Sequence, residues 1–126
     1  MIYEDIYRKI DKLTGGIEKF LESEEGYMKL KSGGFMDLSI DVLNGRGIAM
    51  AHNFVQNGDL MADPDMEIRI DVENKVAEAL TFQQDSLAIY QEVYPEPGMV
   101  NVRLKRELNS FLNQWLNNLK MQGFYS

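Results

Sequence analysis

The chain contains no cysteine, which excludes disulfides, thiolate metal sites and cysteine nucleophiles by composition alone. It has one histidine, His52, so any site that needs two imidazoles is ruled out. No apolar run approaches the roughly 20 residues of a membrane span. The opening residues, Met1-Ile2-Tyr3-Glu4-Asp5, lack a basic segment followed by an apolar one, so no secretory signal is expected. Positive charge is also scarce: 13 Lys and Arg stand against 20 Asp and Glu, a net charge of −7. Such a surface repels phosphate backbones unless its cations cluster, and Arg103, Lys105 and Arg106 are too few to form a groove. The expectation is a cytoplasmic protein with neither a nucleic-acid nor a membrane partner.

At 44% apolar and 26% charged over 126 residues, the composition suits one globular domain, 1–126, with an ordinary core. Apolar residues at Ile2, Ile6, Ile10, Leu13, Ile17 and Phe20 recur at helical spacing. Gly15 and Gly16 interrupt them, predicting a helix over 3–13, a kink or break, and a short second helix to about 22, with one helix running straight through as the alternative. From residue 27 the period becomes two. Met28 and Leu30 form a short strand, and Met36, Leu38, Ile40 and Val42 the inner face of the next. Asn44-Gly45-Arg46-Gly47 turns the chain, and Ile48, Met50, His52 and Phe54 return it.

A three-residue loop at 44–46 sets Val42 against Ile48, Ile40 against Met50, Leu38 against His52 and Met36 against Phe54. Loops of two or four residues would put Asp41 opposite an apolar partner, so three is favoured. Residues 56–64 read as a loop, followed by a clear strand at 66–73, a weaker one at 76–83 and a last one before Pro95. Leu104, Leu108, Phe111, Leu112, Trp115, Leu116 and Leu119 form a helical stripe with Asn109, Asn113 and Asn117 facing out, and Gly123 caps it. The predicted class is α+β: an antiparallel meander sheet of five or six strands covered by N- and C-terminal helices.

Little of this sequence carries recognisable chemistry. A Ser-His-acid arrangement would have to join His52 to Ser39 and to Asp37 or Asp41, yet the favoured register turns those residues away from the imidazole. Gly45-x-Gly47 is a turn and no phosphate loop, so no cofactor is expected. The densest polar stretch places Gln56, Asn57, Asp59, Asp63 and Asp65 after His52, and these six residues form the candidate functional cluster. Hard cations favour oxygen ligands, but the spacing fits no calcium loop, and Asp beside Asn-Gly or Pro64 has ready uses in turns.

The run from His52 through Gln56-Asn57-Gly58-Asp59 to Asp63-Pro64-Asp65-Met66 resembles a family of small uncharacterised bacterial proteins, a domain of unknown function met on mobile elements of Firmicutes. Tyr90-Gln91-Glu92-Val93-Tyr94 and the stretch from Leu108 to Phe124 are similar to the same family, while residues 1–26 match nothing specific. The resemblance implies a bacterial, mobile-element setting and no activity. Three functions follow as expectations. The first is a non-enzymatic accessory or protein-interaction domain. The second is a metal-dependent hydrolase or small-ligand-binding domain using His52, Asp59, Asp63 and Asp65. The third is an acidic mimic of DNA displaying Asp37, Asp41, Glu67, Asp71 and Glu73.

Overall fold

The structure, a computed structural model, describes residues 1–125. Helix α1 (Ile2–Thr14) buries Ile6, Ile10 and Leu13 along one stripe. It stops where the sequence places two glycines: Gly15 takes a left-handed φ of 75°, and Gly16 N–H returns to Asp11 O at 2.9 Å. The conformation is cheap only without a Cβ. The Asp11 carboxylate then accepts from Ile17 N–H at 2.8 Å, which starts the short α2 (Ile17–Leu21).

Among the described residues, seven strands build one antiparallel sheet. They are β1 (Tyr27–Leu30), β2 (Asp37–Leu43), β3 (Gly47–Gln56), β4 (Asp59–Asp71), β5 (Val76–Ala79), β6 (Thr81–Gln84) and β7 (Ile89–Glu92). The order β1-β2-β3-β4-β6-β7, with β5 also on β4, is a meander. Predicted strand 76–83 is split because Leu80 N–H bonds to Glu67 O on one side while Leu80 O accepts from Val93 N–H on the other. That irregularity accounts for the strand beyond the five or six expected.

The β2–β3 hairpin has the expected register: Val42 faces Ile48, Ile40 faces Met50 and Leu38 faces His52 across a loop at 44–46. Pairing ends at Asp37 and Asn53, so the expected Met36–Phe54 pair does not form, and Met36 is 44% exposed instead of lining the inner face.

The stretch read as a loop is strand. β3 and β4 run on to a two-residue turn, Asn57-Gly58, with φ of 53° and 84°, the mirror-image turn whose twist matches that of paired strands. Proline discouraged the strand reading. Pro64 is nonetheless accommodated at a bulge, since Ala51 pairs with Asp65 but Asn53 with Ala62. β4 thus spends two residues where β3 spends one, and a residue without an N–H interrupts no ladder bond there.

Helix α3 (Val102–Met121) opens with Asn101 accepting from Leu104 N–H at 3.0 Å. Leu108, Leu112, Trp115, Leu116 and Leu119 close the core over Leu38, Ile40, Ile48, Met50, Met66 and Ile68. After Gly123, Phe124 folds back with its N–H on Leu119 O at 3.0 Å, as the C-terminal cap predicts. One placement differs. Asn109, expected to face out, is 1% exposed, because its side-chain oxygen accepts the outward N–H of Ala79 at 2.8 Å. A helix side chain thereby closes the free edge of β5. No helix among the described residues is long and apolar enough to cross a membrane.

Candidate interaction surface

Period-two alternation along β3 sends His52 and its neighbour Ala51 to opposite faces of the sheet. His52 is 8% exposed, and its ring sits 5.5 Å from that of Trp115 and 5.6 Å from that of Phe124. Nδ1 lies 3.1 Å from Met36 O and 3.4 Å from Asp37 O. Carbonyls only accept, so Nδ1 carries the proton and Nε2 is the free acceptor. Burial lowers the imidazole pKa below its ordinary value, an effect the two carbonyls partly oppose. The ring belongs to an unbroken aromatic row, Phe35–Phe124–His52–Trp115–Phe111–Phe82. Its place is in the core, facing the C-terminal helix.

The other members of the sequence-derived cluster go elsewhere. Gln56 and Asp59 pair across the Asn57-Gly58 turn, at the exposed tip of the hairpin. The Asp63 carboxylate accepts from Ser86 N–H at 3.1 Å and from the Ser86 hydroxyl, which ties β4 to the 3-10 turn Asp85–Leu87. Asp65 pairs with Ala51 and so points away from His52. The six residues do not converge, and no three His, Asp or Glu side chains among the described residues gather as a cation site would need. Ser39 also lies on the face opposite His52. It is 9% exposed, because its hydroxyl accepts from Asn53 Nδ2 at 2.8 Å and backs onto Ala51.

The face opposite the helices carries Asp37, Asp41 and Glu67, three of the acidic residues of the expected DNA mimic. Its pairing builds two rows. One runs Tyr27–Asp41–Ala49–Glu67 and continues to Thr81, whose Oγ1 accepts from Glu67 N–H at 3.1 Å, and to Glu92. The second runs Lys29–Ser39–Ala51–Asp65–Gln83–Tyr90. Small residues, Ala49 and Ala51, form the floor between carboxylates carried on β2 and β4, about 10 Å apart at two strand spacings.

Burial raises the pKa of Asp65, and Asp85, Glu67 and Asp41 push it further the same way. Burial raises Asp41 as well. The nearby cations pair with two other carboxylates. Arg69 pairs with Glu78, which also holds Lys105 at 3.5 Å and the Tyr94 hydroxyl at 2.8 Å. Lys29 and Lys31 both reach Asp37 at 3.7 Å, so Asp37 cannot act as a bare phosphate-like charge. Among the described residues, Asp41, Asp65, Glu67, Asp85 and Glu92 have no ion-pair partner. The signal was present in the alternation Asp37-x-Ser39-x-Asp41 and Asp65-x-Glu67. What sequence could not show is that these positions adjoin one another over an alanine floor.

Fold and surface together define a small α+β domain with one sheet face closed by helices and the other left open and acidic. The chain belongs to the domain-of-unknown-function family DUF6908, whose family model matches residues 5–125. That match takes in α1 from residue 5 onward, beyond the stretches that carry the resemblance. No curated protein and no solved structure matches the chain.

Proposed function

We propose that this domain is a non-enzymatic accessory module of a bacterial mobile element, and that it works by binding a basic protein through the open face of its sheet. The mobile-element setting rests on the sequence resemblance of residues 52–67. The binding mode rests on one observation: Asp41, Asp65, Glu67 and Glu92 share a face, and none of them has an ion-pair partner among the described residues. Asp65 holds its charge at a cost there, and an approaching lysine or arginine would relieve it. The hydrolase alternative draws no comparable support, since His52 and Asp65 lie on opposite faces.

The test is affinity capture from the native host, comparing the wild-type domain with the Asp41→Asn, Asp65→Asn, Glu67→Gln triple variant. The expected result is a basic protein retained by the wild type, lost by the variant, and released by about 0.5 M salt as charges are screened. Equal retention by both domains would refute the surface assignment.

A further inference from the structure

We infer that strand β7 is an open docking edge that adds an extended peptide segment of the partner, one alternating basic and apolar residues. This inference rests on the reading of the open face as an interaction surface and names the partner's chemistry and pose.

A sheet edge presents unpaired N–H and C=O groups, and proteins usually disable such edges. The three edges here are treated differently. The edge of β5 is closed by the Asn109 side chain on Ala79 N–H. At β1, Val42 N–H bonds to Gly26 O at 2.8 Å, so by the alternation of an antiparallel ladder the outward backbone groups belong to Tyr27 and Lys29. Lysine is the residue most used to blunt an edge, and Lys31 follows immediately.

At β7, Val93 N–H bonds to Leu80 O at 2.9 Å. Given the pairs Thr81–Glu92 and Gln83–Tyr90, the same alternation turns the N–H and C=O groups of Tyr90 and Glu92 outward. No side chain or backbone group among the described residues meets them, and all four β7 residues are exposed.

The charges beside this edge select what can be added. On the open face a new strand would lie next to Tyr90 and Glu92, with Glu67 and Asp65 on β4 and Asp85 in the 3-10 turn beyond. Its residues on that side must be basic. On the other face it would lie beside Ile89, 36% exposed, and near Leu87, 63% exposed, where apolar residues gain most. A second copy of the chain is disfavoured at the same edge. Antiparallel β7–β7 pairing about an axis normal to the sheet would lay one acidic face beside another and supply no cation. Backbone bonds thus give affinity and alternate side chains give specificity.

The probe is a fluorescein-labelled octapeptide alternating lysine and valine, read by anisotropy against the full chain. Controls are the same composition in two blocks, a glutamate–valine counterpart, and a version N-methylated at alternate residues. The expected pattern is binding of the alternating lysine peptide alone, weakened at least tenfold by N-methylation. Tyr90→Pro removes one outward N–H and leaves the bonds of Ile89 and Gln91 to β6 intact. It is expected to weaken binding at least tenfold with unchanged circular dichroism. Glu67→Lys with Glu92→Lys is expected to switch preference to the glutamate peptide.

If the lysine peptide binds but Tyr90→Pro and N-methylation leave affinity unchanged, the edge inference fails while the acidic-face reading stands. If the lysine peptide does not bind at millimolar concentration, both fail. A dimer in sedimentation that Tyr90→Pro dissociates would assign the edge to a second copy and overturn the inference.

Discussion

The same strands carry two faces that differ in almost every physical respect. On β3, Ile48, Met50 and His52 are sealed beneath α3, while Ala49, Ala51 and Asn53, one position along each time, line a face with no helix over it. The closed face holds a buried base whose pKa is lowered, and the open face holds carboxylates whose pKa is raised. The difference shows that burial alone did not decide where titratable groups went. His52 is tolerated inside because its one donor nitrogen meets two carbonyls. Asp65 stays at a half-covered site with no ion-pair partner among the described residues.

The contrast can be broken most sharply from the closed side. Leu112→Ala removes a fully buried side chain and is expected to cost about 2–5 kcal/mol in chemical denaturation; a loss below about 1 kcal/mol would mean the helix is not sealed onto the sheet. Asn109→Leu strands the Ala79 amide and should cost about 1–3 kcal/mol, with faster amide exchange at Ala79.

The two titrating residues sharpen the comparison in opposite senses. The folded-state pKa of His52 lies below the ordinary 6.5, so the unfolded chain takes up the proton first. Its contribution is intact above that pH and is lost as pH falls through and below it. His52→Phe should therefore flatten the fall in stability between pH 7.5 and 5.5, and an unchanged slope would show that the ring is not sealed off. For Asp65 the folded-state pKa is raised, so protonation favours the folded state and wild-type stability recovers as pH falls through the raised value. Asp65→Asn supplies that gain at neutral pH. The expected effect is the smallest of the set, a rise of about 1–3 °C in melting temperature that disappears in acid; a fall would indicate a hidden partner for the carboxylate.

Much of the architecture was legible in the residues. Period-two and helical spacing located both helical ends and the meander, and avoiding an apolar partner for Asp41 was enough to choose the register of β2 and β3. The glycine pair at 15–16 and the cap at Gly123 also did what their chemistry requires. The failures have a common cause, which is that long-range pairing overrode local composition. Residues 56–64 open on the turn-like Gln56-Asn57-Gly58-Asp59 and end at a proline, yet a 10-residue strand on one side and a 13-residue strand on the other carry them through as a hairpin with one bulge. Asn109 looked like another exposed amide of an asparagine-rich helix until β5 arrived beside it.

The candidate site was the least legible part. Its cluster was assembled from neighbours in sequence, and an antiparallel sheet brings together residues such as Asp41 and Glu67, which are 26 positions apart.

The bond from Asn109 to Ala79 also couples two hazards of the cell. Should α3 detach for a moment, it uncovers at one stroke a greasy sheet surface and a strand border able to recruit other chains. Fraying of that helix is therefore expected to lead to clumping and not to a harmless open form. Turbidity on mild heating should rise with protein concentration and should start earlier in the Asn109→Leu protein than its lost stability alone accounts for.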